Sequence, residues 1–172
     1  MKRFILSIIG DDKPGLVEAI ARCVAEHGGN WQTSQLSHLA GKFAGIVLVT
    51  LPASAAESLE ADLKKLSESG LSVRVSDADG AAPNKPTTQV RLEVIGPDRP
   101  GIIREISQAL AKRTISVVEL VSDITPAPMT NEPLFQATIK IVGTESYDED
   151  ELLETLDMIA EEMTVDIDLI KS

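Results

Sequence analysis

The chain has 172 residues, of which 43% are hydrophobic, 25% charged and 3% aromatic, a globular profile rather than a disordered or membrane one. Its formal net charge of −11 opposes direct binding to nucleic acid, because a phosphate backbone needs a positive patch to displace its counterions. No apolar run approaches the roughly 20 residues of a membrane span, and Met1-Lys2-Arg3 leads straight into a strand-like pattern, so a cytoplasmic chain without membrane contact is expected.

From Phe4 to Ile9 the residues alternate. Phe4, Leu6 and Ile8 form one apolar face, and Ile5, Ser7 and Ile9 form a more polar one, as in a strand covered on one side only. An acidic turn, Gly10-Asp11-Asp12-Lys13-Pro14-Gly15, then feeds a helix whose stripe is Leu16, Ile20, Val24 and His27. Cys23 lies on the apolar side of that helix and has no other cysteine to pair with, so a buried, inert thiol is expected. Gly28-Gly29 supplies a left-handed helix end. Asn30 to Leu39 and Phe43 to Leu51 then read as a hairpin around Ala40-Gly41-Lys42. A second helix carries Leu59, Leu63 and Leu66, and Leu71, Val73 and Val75 mark a closing strand. Lysine and arginine pairs such as Lys64-Lys65 and Lys112-Arg113 are expected on solvated helix faces.

The whole pattern then recurs. Gly96-Pro97-Asp98-Arg99-Pro100-Gly101-Ile102 repeats the turn 86 residues after its first copy, preceded by Val90, Leu92 and Val94 and followed by Ile106 and Leu110. Leu152, Leu156 and Ile159 match the second helix, and Val165, Ile167 and Leu169 match the closing strand. Asp148-Glu149-Asp150-Glu151 reads as an acidic first helical turn favoured by the macrodipole. Residues 78–87, rich in small and turn-forming types, are expected to link a first domain at 1–77 to a second at 88–172. The order βαββαβ, twice, predicts an α+β chain of two ferredoxin-like domains, each a four-stranded antiparallel sheet with two helices on one face. The spacing from Phe43 to Phe135 is 92 residues. About six residues are thus inserted at the second hairpin tip, in the Pro-rich stretch 126–133, where a contact surface or lid is expected. Unpaired sheet edges predict pairing of the modules or of two chains, so a homodimer is also expected.

A turn entering a helix leaves backbone N–H groups without intrahelical partners. On this reading Asp12 serves as a turn or N-cap acceptor, Pro14 sits in the first helical turn, and Gly15 opens the backbone to close approach. Such a turn needs no ligand to exist. The same atoms suit a zwitterion, with N–H groups near Gly15 and Leu16 for a carboxylate and Asp11 or Asp12 for an ammonium. A nucleotide phosphate fits worse, since the two aspartates repel it and no P-loop spacing is present. Asn30, opening the second strand and expected at the same end of the sheet, adds an amide, and the second copy has Ser116 there.

The turn Asp-Lys/Arg-Pro-Gly-Leu/Ile, followed by a helix that ends in a glycine pair before Asn30-Trp31 within βαββαβ, resembles an ACT domain. That is a regulatory module that binds small amino acids. The resemblance implies a ligand held by the turn of one domain and the polar residue opening the second strand of its neighbour. It assigns those roles to Asp11, Asp12, Lys13, Gly15, Leu16 and Asn30, and in the second copy to Asp98, Arg99, Gly101, Ile102 and Ser116. A pair of such domains without a catalytic domain looks most like the branch of repressors acting on the glycine cleavage system. Those proteins resemble amino-acid sensors that act on a DNA-binding activator. Glycine or serine is then the favoured ligand and a protein the favoured partner.

No nucleophile constellation or metal-ligand spacing accompanies Cys23, His27 and His38, so neither catalysis nor a cofactor is expected. Two other readings stay open at this point: a ligand-free interaction scaffold, and a detached regulatory subunit of an amino-acid biosynthetic enzyme.

Overall fold

A computed structural model describes residues 1–66, 70–78, 88–143 and 148–171. The chain divides into two compact units, Met1–Ala82 and Pro83–Ser172. Most of the expected linker, 79–87, lies outside the described residues.

In the first unit β1 (Lys2–Asp11) leads to α1 (Leu16–Glu26), β2 (Asn30–Leu39) and β3 (Lys42–Leu51). A 3-10 turn at Ala53–Ala55 then opens α2 (Ala56–Lys65), and β4 (Leu71–Asp77) closes the unit. The sheet order is β2-β3-β1-β4, antiparallel throughout. The second unit repeats it with β5 (Thr88–Pro97), α3 (Ile102–Lys112), β6 (Ser116–Pro126), β7 (Pro133–Gly143), α4 (Glu149–Met163) and β8 (Asp166–Lys171), in the order β6-β7-β5-β8.

Alternation along the strands decides which face is covered. Phe4, Leu6 and Ile8 of β1, with Val47, Val49 and Leu51 of β3, are buried against Ile20, Cys23 and Val24 of α1 and Leu59 and Leu63 of α2. Val90, Leu92 and Val94 meet Ile106, Leu110, Leu152 and Leu156 in the same way. Both helices of each unit thus lie on one sheet face, the ferredoxin-like α+β arrangement expected from the periodicity. Each fully buried leucine contributes about 1.5–3 kcal/mol by leaving water.

The turns differ from expectation in one detail. Neither Asp12 nor Pro14 begins α1. The helix starts at Leu16, and Gly15 precedes it at φ 91°, ψ −3°. With Pro14 before it and the Leu16 N–H donating to the Lys13 carbonyl at 3.4 Å, this is the geometry of a type II turn. Gly101, at φ 105° and ψ −8°, repeats it before α3. Gly10 and Gly96 have a different reason to be glycine: a Cβ at either would lie within 3.0 Å of the opening of the neighbouring strand, at Gly70 O for one and at Val165 for the other.

The hairpins also differ. Ala40-Gly41 alone, at φ 48° and 76°, joins β2 to β3, so Lys42 belongs to the strand rather than the turn. Between β6 and β7 the insertion forms a longer tip, pinned by the Ala127 N–H on Glu132 O at 2.8 Å and the Asn131 N–H on Ala127 O at 2.9 Å.

Arg113 corrects the expectation of a solvated basic pair. Its side chain is only 16% exposed, and its Nη2 donates to Glu151 Oε1 at 2.9 Å and Thr155 Oγ1 at 2.6 Å, tying the end of α3 to α4.

Candidate functional site

The first turn is held in place by the hairpin beside it. The Asp12 N–H donates to Gly41 O at 3.0 Å, and the strand register sets Asp11 opposite Lys42 and Gly10 opposite Phe43. Because β2 and β3 turn on two residues, His38 also pairs with Phe43 and reaches the same end of the sheet. Four ionisable side chains consequently gather there. Lys42 Nζ donates to Asp11 Oδ1, and His38 Nε2 lies 3.7 Å from Asp12 Oδ2. The hydrogen bond from Lys42, reinforced by its charge, holds the Asp11 carboxyl below its ordinary value.

A cleft of about 220 Å³ opens beside the turn, lined by Asp12, Lys13, Gly15, Leu16, Val17, Glu18 and Phe43. The Ala19 N–H is taken by Gly15 O at 2.9 Å and the Leu16 N–H by Lys13 O. The donors facing outward are therefore those of Val17 and Glu18, which have no backbone acceptor among the described residues, rather than that of Leu16. Around Gly15 there is room, with no atom within 4 Å of the position a Cβ would take. A small anion placed at these N–H groups would meet a helix N-terminus and a partly apolar wall, with Asp12 at its edge.

Asn30 does not share this end. It pairs with Thr50, which pairs with Arg3, eight residues along β1 from Asp11 and roughly 26 Å away at ~3.3 Å per residue. Within its own unit Asn30 cannot reach a ligand held at Asp12. Ser116, opposite Val142 and so level with Gln89, is displaced from Pro97 in the same way.

The second turn keeps the backbone and changes the chemistry. The Asp98 N–H donates to Pro133 O at 3.0 Å, as Asp12 does to Gly41. By register, however, Pro97 stands where Asp11 does, Leu134 where Lys42 does and Ile124 where His38 does. Met163 Cε and Arg104 Nη2 also come within 3.8 and 3.9 Å of the space over Gly101. Ion pairing at one turn is thus replaced by apolar contact at the other.

Lys42, His38, Phe43, Val17 and Glu18 were absent from the sequence-derived set. The signal was available in the hairpin: a tight turn at Ala40-Gly41 fixes 38, 42 and 43 at the end of β1 where the acidic turn begins. His27 was read only as part of a helix stripe. Its Nδ1 donates to the Cys23 carbonyl at 2.8 Å and its Nε2 lies 3.2 Å from Asp62 Oδ2, linking α1 to α2 away from the turn. Burial holds the Cys23 thiol above its ordinary value, and no cluster of three or more metal-ligating side chains occurs among the described residues.

Comparison with known proteins places this geometry. Residues 2–76 match the ACT domain family model. Over 141 residues, more than either unit alone, the chain is 30% identical to the glycine cleavage system transcriptional repressor of Escherichia coli (strain K12), spanning 81% of this chain and 73% of the repressor. The chain belongs to the ACT-domain family. The repressor of the same description from Shigella flexneri matches to the same extent. Among solved structures, an unknown protein from Galdieria sulphuraria shares the ACT pair with a TM-score of 0.83 and 29% identity, over 99% of this chain and 98% of that one. A crystal structure assigned as a candidate glycine cleavage system transcriptional repressor aligns over the same shares with a TM-score of 0.73 and 20% identity, a likeness of fold. The chain is therefore a tandem ACT protein related to transcriptional repressors. No helix among its described residues is long and apolar enough to cross a membrane.

Proposed function

We propose that this ACT pair is a non-enzymatic, amino-acid-responsive regulator that binds a small amino acid, glycine or serine, at its first turn and acts through a protein partner in control of the glycine cleavage system. The observation that carries the reading is the 30% identity with repressors of that system over a span longer than either unit. Charge supports a protein rather than DNA as the partner, since a chain at −11 repels a phosphate backbone.

In this reading the ligand carboxylate lies at the N–H groups of Val17 and Glu18 with Lys13 alongside, and its ammonium faces Asp12. Asn30 contributes only if a second chain supplies it. The second turn, with Pro97, Leu134 and Ile124 in place of charged groups, binds more weakly or not at all. Calorimetric titration of the full chain with glycine and serine tests this: saturable heat that falls at least tenfold in affinity in Asp12→Ala supports it, and no heat at millimolar ligand refutes it.

A scaffold reading has one observation in its favour. The repeated motif is accounted for by the turn itself, through the close approach at Gly10 and the positive φ of Gly15. Regulation that survives both Asp12→Ala and Lys13→Ala would favour it.

A further inference from the structure

We propose that the outer edge of β6 docks an extended, basic segment of a partner protein, which joins the second sheet as a fifth strand. The proposal deepens the reading above by naming where a partner sits. It is tested without any amino acid, so its failure would leave ligand binding at the first turn untouched.

The observation is an edge strand without the usual protection. β6 is an outer strand of its sheet, and along it Val117, Val118, Leu120, Val121 and Ile124 are 38 to 61% exposed. Leu120 and Ile124 pair with the buried Ile139 and Phe135, so they lie on the helix-covered face, whereas Val121 pairs with Thr138 on the open face. The strand is therefore apolar on both sides of its free backbone edge. Natural edges are blunted with lysine, proline or bulges to stop unwanted pairing. Here the one bulge lies at Val118, near the start, and the first proline of the strand is Pro126, at its end. The equivalent strand β2 is built instead from Thr33, Ser34, Gln35, Ser37 and His38, with Leu36 packed on the core.

Charge chooses the occupant. On the open face a trough of about 430 Å³ runs from β6 across the sheet, with Asp123, Glu93 and Asp168 among its walls. Glu93 and Asp168 are directly opposite each other on β5 and β8, a like-charge pair that costs stability unless a cation is near. Arg91 meets one of them, with Nη2 at 3.1 Å from Glu93 Oε1. A second copy of β6 would bring Glu119 and Asp123 toward the same acidic face. A strand alternating aliphatic residues with lysine or arginine would satisfy the backbone edge, cover the exposed aliphatic side chains and place cations over the trough. That is the chemistry of β-strand addition, in which main-chain bonds give affinity and alternate side chains give specificity.

The test uses the isotope-labelled full chain and a nine-residue peptide alternating valine and lysine. Expected are saturable amide shifts confined to Val117–Ile124 and to the trough. Binding should be at least tenfold weaker in Val121→Lys and in Asp123→Asn, the latter retaining the side-chain acceptor that the Ile124 N–H uses at 2.8 Å, and it should weaken with added salt. The proposal is overturned if a valine–glutamate peptide binds as well, or if β6 does not respond at millimolar peptide. A dimer in sedimentation that Val121→Lys dissolves would also overturn it, since it would make a second copy the occupant.

Discussion

At Asp11 and Gly15 the repeated turn shows two kinds of constraint. Asp11 is exposed and ion-paired with Lys42, which depresses its carboxyl. A carboxylate with a depressed value adds stability that is present above the unfolded value and lost as pH falls through the folded one. NMR titration should find Asp11 ionising below the ordinary carboxylate value of 3.8, and returning toward it in Lys42→Ala. An unchanged Asp11 titration in that variant would show the pair to be solvent-separated. Gly15 is constrained by backbone, since a left-handed conformation costs an L residue about 1–2 kcal/mol. Gly15→Ala should lower the denaturation free energy of the first unit by about that amount, and Gly101→Ala should do the same in the second. The motif's spacing made both glycines legible. The partners of Asp11 and Asp12 were not, because Lys42 and His38 stand 31 and 26 residues away in sequence and meet them only through the register of the β2–β3 hairpin.

Helices and strands were the most legible level. Alternation at Phe4, Leu6 and Ile8 and helical spacing at Leu59 and Leu63 named core residues that are buried in the structure, because burial on one face leaves a period in the sequence. Cross-element polar contacts leave none. Arg113 looked like half of a solvated basic pair, yet it binds the Glu151 and Thr155 side chains of α4 across about 40 residues of chain. Hydrogen bonds to a charged group contribute about 1.5–3 kcal/mol, so Arg113→Met should destabilise the second unit by about that amount, discounted for the exposed Glu151. Chemical denaturation that is unaltered by Arg113→Met would show the clamp to be replaceable by water. Helix ends followed the same logic of conformation over identity. Gly28 at φ 67° ends α1 with N–H bonds from Gly28 to Ala25 O and from Gly29 to Val24 O, both at 2.9 Å. Thr114 at φ 57° ends α3 in the same form without glycine. The misplacement of Asn30 came from the same level. A strand that follows a helix returning along the sheet must begin at the far end, and topology rather than residue type decides that.

Across the whole molecule, one fold written twice carries two different surfaces. The first unit concentrates ionisable groups at its turn and leaves a polar edge at β2. The second has apolar residues at the matching positions and exposes an aliphatic edge at β6 with an acidic trough beside it. Duplication followed by such divergence fits a division of labour, with sensing in the first unit and partner contact in the second. The relation to repressors of the glycine cleavage system gives that division a setting. The central claim, that the first turn is an amino-acid site, is tested most directly by backbone NMR of the full chain during glycine and serine titration. The account predicts saturable shifts at Lys13–Glu18 and little response at Arg99–Arg104, with the first set abolished by Asp12→Ala. No shift at Lys13–Glu18 at millimolar ligand, or equal responses at both turns that survive Asp12→Ala, would contradict it.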